Sequence, residues 1–344
     1  MNEKHKNNPD LPLLSVIVPF YNVEKYFSKC LETLVNQTLK DIEIILIDDC
    51  STDGSAEIAQ EYAKRDIRIK ILNHEKNKGQ GEARNTGLKT AKGKYVAFLD
   101  SDDYLATDIC EKAVCKAEET AATGVSFNVY KFNGDKIKDY VNIQEHTLID
   151  KISEQTVMWG TIYNRSFIQE NNLTFPKNRN AGEDIYFHQI FQAEAAKRKK
   201  KRVHIKDFGY YYRDTIGSES KQFDKLITYP QTYKEMLKEA SQRQLDDTYM
   251  KIGYVAPHVK RNYRYATLSH LAELKELFEN NGITADFLSK YQEEYDFITD
   301  KMIQDVKCLT RSPFVFWLKC KRKLFNRRLK EYISFKKAKQ RKYF

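Results

Sequence analysis

The sequence predicts an α/β fold, a layered mixed sheet flanked by helices, followed by a helical C-terminal extension. Three observations predict it. Apolar, β-rich runs alternate with segments of helical periodicity through the first half of the 344-residue chain. Two of those runs, Ile42–Ile47 and Tyr95–Leu99, stop abruptly at carboxylates. Beyond about residue 222 the periodicity is helical throughout, with few Gly or Pro.

The elements follow in order. Leu14–Val18 reads as the first strand, and Val23–Gln37 sets Tyr26, Phe27, Cys30, Leu31 and Leu34 at helical spacing. The Ile42–Ile47 strand leads to a helix from Ser55 to Arg65, with Ser51, Thr52 and Asp53 as capping oxygens before it. Arg68–Asn73 is a third strand. The Gly-containing turn Asn77–Gly81 then opens a helix carrying Ala83, Leu88 and Ala91. Lys94–Leu99 and a helix over Asp108–Thr120 complete an alternation that favours parallel strands. Between about residues 125 and 215, short strands (Val125–Phe132 and Tyr210–Tyr212) accompany a helix opening at Glu183. The expected divisions are a disordered start over 1–11, an α/β domain over 12–221, a helical region over 222–310 and a basic amphipathic tail over 311–344.

Hydrophobic residues at 41% and charged residues at 31% describe a globular protein with a highly charged surface. The net charge of +10 is unevenly placed, because residues 311–344 carry thirteen Lys/Arg against the single acid Glu331. The first 310 residues are therefore slightly acidic. Cys30, Cys50, Cys110, Cys115, Cys308 and Cys320 lack C-x-x-C spacing, which points to free thiols in a reducing cytoplasm. The start, Met1–Asp10, is too polar for a secretory leader. No apolar run approaches the ~20 residues of a membrane span.

The chemistry concentrates in acidic clusters. Asp100, Asp102 and Asp103 follow the Tyr95–Leu99 strand, and Asp48 and Asp49 follow Ile42–Ile47. Crowded carboxylates repel unless a cation compensates them. One reading is a solvated acidic turn. The other is a hard divalent ion, Mn²⁺ or Mg²⁺, holding a phosphate-bearing ligand. Ligands in open α/β sheets sit beyond the carboxyl ends of strands, so two acid-tipped strands point to one shared site. A third cluster, Glu183–Asp184, opens a helix.

The motifs in their order resemble the family-2 glycosyltransferases. Ser15–Asn22, Asn36–Thr38, Ile47–Ser55, Gly81–Gly87, Leu99–Asp103, Trp159–Tyr163 and Gly182–Asp184 carry the resemblance, which spans residues 12–220. It implies a GT-A fold and an inverting transfer from a UDP-sugar. The nucleotide-binding half would include Pro19, Tyr21, Asp49, Arg84 and Asp102. Tyr21 can stack on a base or simply pack, Asp49 can accept from a uracil N–H, and Asp48 supports the loop. By resemblance Asp102 lies near the ribose or the metal, and Asp103 ligates the ion. Arg84 either contacts the diphosphate or pairs with the acids. Asp184 matches the base that takes the acceptor's proton, with Glu183 as its rival. Trp159 sits at the acceptor platform, a core Trp being the alternative. The Q-x-x-R-W element of processive synthases is absent, which favours addition of a single sugar. A G-x-G-x-x-G loop is also absent, which disfavours a dinucleotide enzyme. His188 and His204 have no ligand spacing.

The expected reaction moves one galactose- or glucose-type hexose to a glycan or lipid-linked glycan acceptor of the bacterial surface, such as lipooligosaccharide, lipopolysaccharide or capsule. A metal-dependent nucleotidyltransferase, or a non-catalytic sugar-nucleotide or membrane-binding protein, are the competing readings. In the tail, Leu318, Phe325, Leu329 and Tyr332 share a helical face among many cations. That pattern suits the anionic inner face of the cell membrane, or packing onto the protein with the cations solvated. No nucleic-acid module accompanies it, so no nucleic-acid partner is expected.

Overall fold

A computed structural model describes residues 11–133, 136–141, 158–177, 182–213, 225–248, 250–251, 268–293 and 298–322. The alternation read from the sequence becomes β1 (Leu14–Phe20), α1 (Glu24–Val35), β2 (Ile42–Asp48), α2 (Ser55–Arg65), β3 (Ile69–Asn73), α3 (Gln80–Thr90) and β4 (Tyr95–Phe98). Then follow β5 (Tyr104–Leu105), α4 (Ile109–Thr120), β6 (Gly124–Asn133), β7 (Lys136–Val141), β8 (Thr161–Asn164), α5 (Arg165–Glu170), α6 (Glu183–Lys197) and β9 (Arg202–Arg213).

Among the described residues, nine strands form one sheet of order β3-β2-β1-β4-β8-β6-β9-β5, with β7 alongside β6. Strands β1 to β4 are mutually parallel, as the crossover helices require. Strand β8 then enters antiparallel between β4 and β6, so the sheet as a whole is mixed. Every residue of β1 and β2 is buried, which is why both read as unbroken apolar runs. The core continues into α1 through Phe27, Cys30, Leu31 and Leu34.

Parts of this were not read from the sequence. Strand β5 has two residues and β8 four, too short for a period to show. Strand β9 runs through twelve residues, although only Tyr210–Tyr212 looked strand-like. Its first half hides behind basic residues, one of which, Arg202, is buried and donates to Gln192 Oε1 at 2.7 Å. The capping oxygens before α2 also serve a second helix. Asp53 Oδ1 accepts the Ser55 N–H at 3.0 Å, while Asp53 Oδ2 and Ser55 Oγ accept the Glu24 and Val23 N–H groups at 3.1 and 2.8 Å. The start of α1 is thereby stitched to the loop after β2.

The chain divides into two compact units, Met1–Thr232 and Tyr233–Phe344, the division falling inside α7 (Lys225–Gln242). The second unit contains α8 (Leu268–Asn280), α9 (Ala285–Lys290), α10 (Asp300–Arg311) and helical residues 313–322. Thr284 and Thr299 cap α9 and α10 by accepting the Phe287 and Met302 N–H groups. Among the described residues no helix is long and apolar enough to cross a membrane.

Candidate active site

The carboxyl ends of β1, β2 and β4 lie side by side. Phe20 is registered with Asp48, Ile17 with Phe98, and the Asp49 N–H donates to Phe20 O at 2.9 Å. Pro19 is tolerated inside a strand because β4 pairs with β1 only as far as Ile17, leaving β2 as its neighbour. Tyr21 then emerges 45% exposed, so its ring is not core. Asp48 supports the loop as expected, its Oδ1 accepting the Ser51 N–H at 2.8 Å.

Asp49 is buried and acts as a hub. Its Oδ1 accepts the Lys78 N–H at 2.9 Å and faces His74 Nδ1 at 2.7 Å, and its Oδ2 accepts the Gly79 N–H at 2.7 Å. His74 reaches on to Thr86 Oγ1 at 2.9 Å. The turn before α3, with Gly79 at φ +85°, is thus bolted to the end of β2. Sequence reasoning missed His74, whose one signal was its place at the end of a strand.

The acid cluster is organised from β9. The Tyr210 hydroxyl accepts the Asp100 N–H at 3.2 Å and donates to Asp103 Oδ2 at 2.7 Å. The Arg213 N–H donates to Asp103 Oδ1 at 2.6 Å, and its Nε to the Asp102 carbonyl at 2.8 Å. Asp103 is buried, and burial together with the charges of Asp102 and Asp100 holds its carboxyl well above the usual carboxylate range. Neither Tyr210 nor the contacts of Arg213 were legible, since they come from the far end of the domain. Tyr212–Arg213 and Ser218–Lys221 resemble the family's loop that closes over the nucleotide diphosphate, and residues 218–221 lie outside the described residues.

Arg84 makes the acid pairing. Its guanidinium is fully buried, donating to Asp100 Oδ1 at 2.6 Å and to Glu183 Oε1 at 2.8 Å. Burial pulls its pKa down, but Asp100, Glu183 and Asp184 outweigh that and raise it above its ordinary value. Glu183 and Asp184 occupy the first turn of α6, launched by Gly182 at φ +79°. Glu183 is buried and ion-paired, whereas Asp184 is half-buried and only its neighbour holds the arginine. Burial, then the Glu183 charge, pushes the Asp184 carboxyl up to about 7, against the opposing pull of Arg84.

Trp159 is half-buried and stacks on Tyr212, ring centroids 4.5 Å apart and planes 20° apart. It also packs at the edge of the main core, so both readings of this ring have a physical basis. His188 is buried against Tyr163 and Gln192, and His204 against Ser126 and Asn128.

A family profile described as "Glycosyl transferase family 2" matches residues 15–200. The chain belongs to glycosyltransferase family 2. It is 36% identical over 223 residues to the "Uncharacterized glycosyltransferase EpsJ" of Bacillus subtilis, covering 60% of this chain and 63% of that one. It is 32% identical over 205 residues to a poly(ribitol-phosphate) beta-glucosyltransferase of Bacillus spizizenii, covering 58% of this chain and 32% of that one. The alignments thus span less than two thirds of these curated relatives. The crystal structure of Staphylococcus aureus TarS 1-349 with UDP-GlcNAc superposes at a TM-score of 0.64 and 21% identity, covering 89% of this chain and 88% of that one. The GT-A fold is shared with it.

The family-2 acid cluster suits a divalent ion. Asp102 and Asp103 are hard oxygen donors; burial, then repulsion from Asp102 and Asp100, raises Asp103, and a cation relieves the repulsion. Among the described residues no three His, Cys, Asp or Glu side chains form a ready-made cage. Mg²⁺ and Mn²⁺ in nucleotide sites are commonly held by one or two carboxylates plus substrate phosphates, which this donor set matches.

Proposed function

We propose that this chain transfers one hexose, of glucose or galactose type, from a UDP-sugar to a bacterial surface glycan with inversion at the anomeric carbon. The division of labour between Glu183 and Asp184 carries this reading. Single displacement needs one carboxylate ionised yet basic near neutral pH, placed to take the acceptor's proton as its oxygen attacks. Glu183 is tied to Arg84, and Asp184, pushed up to about 7, is the base. At the other end, the Asp49 carboxylate has about four acceptor positions, and three are taken by His74, Lys78 and Gly79. The fourth accepts a uracil N–H while exposed Tyr21 stacks on the base, Pro19 shapes the floor and Asp102 approaches the ribose. Asp102 and Asp103 would hold Mn²⁺ or Mg²⁺, which when bound neutralises the departing diphosphate. Trp159, with Tyr212, offers an aromatic face to the acceptor sugar.

The poly(ribitol-phosphate) glucosyltransferase relative supports a surface polymer as acceptor, and lipooligosaccharide, lipopolysaccharide, capsule and lipid-linked glycans share that chemistry. The UDP-GlcNAc complex of TarS favours N-acetylglucosamine as a second donor reading. The site of action would be the cytoplasmic face of the membrane. Residues 311–322 support this by exposing Phe314, Val315 and Leu318 beside Arg311, Lys321 and Arg322. Phe325, Leu329 and Tyr332 of the same tail lie outside the described residues.

Thermal-shift titration with UDP, GDP and CMP, with and without Mn²⁺, tests the donor site on wild type, Asp102→Asn and Asp103→Ala. The expected result is a UDP-selective, Mn²⁺-dependent rise that the variants lose. No rise with any nucleotide defeats the reading. Release of pyrophosphate rather than UDP during turnover would establish a nucleotidyltransferase instead.

A further inference from the structure

We infer that Arg84 is a positioning residue for the catalytic base: by clamping Glu183 it fixes the first turn of α6 and leaves Asp184 alone to face the acceptor. This rests on the assignment of Asp184 as base. The guanidinium spans two elements, reaching from α3 to Glu183 at 2.8 Å and to Asp100, after β4, at 2.6 Å. It is fully buried, and a third contact, Nη2 to Gln80 Oε1 at 3.0 Å, fixes its plane from its own helix. The ring of Phe175 lies 5.5 Å from its carbon centre. Such a fork has little freedom, so the backbone of Glu183 has little freedom either.

Two further observations tie α3 to α6. A Cβ built on Gly81 would stand 3.2 Å from Pro176 O and 3.4 Å from Glu183 Cγ, so α3 meets the start of α6 backbone-close. The opposite side of α3 is held by Asp49 through Gly79 and by His74 through Thr86. One helix therefore touches both the proposed uracil acceptor and the residue beside the base. With the guanidinium engaged by acids, its role is to place Asp184 rather than to grip a phosphate.

The groups acting on Asp184 are Glu183 on its own helix, Arg84 on α3, Asp100 after β4 and Tyr163 on β8, the last hydrogen-bonded to His188. Glu183 and Arg84 act on it in opposite directions. That opposition supplies the test, run on the full chain. Turnover of whichever of UDP-glucose, UDP-galactose or UDP-GlcNAc the enzyme uses is followed as UDP release across pH. The enzymes are wild type, Arg84→Lys, Arg84→Met, Glu183→Gln and Asp184→Asn, with UDP binding read separately by thermal shift.

Arg84→Lys is expected to lower kcat roughly 10- to 100-fold, the scale of a small misplacement of a reacting group, with KM for the donor and the UDP shift unchanged. Glu183→Gln is expected to move the acid limb of the kcat profile down by about 1 in pH, and Arg84→Met to move it up. Lys should recover part of what Met loses. If Arg84→Met does not fold, the Lys and Gln variants decide alone. Weakened UDP binding with intact kcat in Arg84→Lys would make Arg84 a nucleotide contact and overturn the inference. Unmoved acid limbs in all three, with Asp184→Asn inactive, overturn it while sparing the base. Activity retained in Asp184→Asn removes the base assignment itself, and the inference with it.

Discussion

Replacing Asp184 by Asn should destroy transfer and at the same time stabilise the protein at alkaline pH. The carboxyl lies near 7 instead of its ordinary 3.8, because burial and then Glu183 disfavour its charge. The folded state therefore keeps the proton longer than the unfolded chain does. Its contribution to stability is fully present below about pH 4 and is lost as pH climbs through about 7. A gap of about 3 at about 1.4 kcal/mol per factor of ten caps the loss at roughly 4 kcal/mol. Part of the residue is solvent-exposed, and screening reduces the working figure to about 1–2 kcal/mol. Asn cannot ionise and keeps the shape, so it avoids that loss. For a unit of this size, about 2–4 °C per kcal/mol converts it to a gain of roughly 2–8 °C over wild type at about pH 8. Near pH 4, where the unfolded chain also still holds the proton, the two proteins should melt together to within about 2 °C, and the gap should open steadily between about pH 4 and about pH 7. Scanning fluorimetry from about pH 4 to about pH 8 measures the difference, and UDP release measures the loss of activity, expected at about 100-fold or more for a lost general base. A melting difference that stays flat with pH would refute the claim that the fold holds this carboxyl in its neutral form. Persistent turnover would refute its role as base.

Four other substitutions probe the rest of the site and the surface. Asp49→Asn turns an acceptor-only carboxylate into an amide that cannot accept from both Lys78 and Gly79; the UDP shift should vanish and stability fall by about 1–3 kcal/mol, read by denaturant titration. Gly87→Ala places a Cβ 2.4 Å from Ile17 Cγ2, so α3 must move off β1. It should cost about 1–3 kcal/mol and weaken UDP binding through displacement of Gly79, and a neutral result would mean α3 packs less tightly than it does here. Phe314→Glu and Leu318→Glu alter side chains that are 53% and 46% exposed. They should abolish co-sedimentation with vesicles rich in phosphatidylglycerol while changing stability by no more than about 0.5 kcal/mol.

What was legible in the sequence follows from the range of the interactions that built it. Strands β1, β2 and β4 are buried on both faces, so each wrote itself as a continuous apolar run. Strands β2 and β4 both pair in parallel with β1, so the acids that follow them come out at the same, carboxyl edge of the sheet once the strands are paired. Tyr210 and Arg213 reach that cluster from more than a hundred positions away, and no local period announces a hydroxyl that will bridge Asp100 and Asp103. Strand β8 stayed hidden for the same reason: its four residues are a strand only because β4 and β6 flank them.

The pair Glu183–Asp184 shows the limit most clearly. In sequence the two are adjacent carboxylates at a helix start, and either could be the base. Local structure does not separate them, since both sit in the first turn of α6, where the helix end favours negative charge. The separation comes from Arg84, 99 positions earlier, whose two terminal nitrogens go to Glu183 and to Asp100 with Gln80, and not to Asp184. One carboxylate gains a cation and becomes a strut; its neighbour, at the same helix end but half-buried, is pushed up to about 7 by burial and by the Glu183 charge. A base poised at neutral pH is thus produced by burial and an adjacent carboxylate that takes the direct hold on the arginine, and substitutions at Arg84 should change the chemistry without touching the substrate.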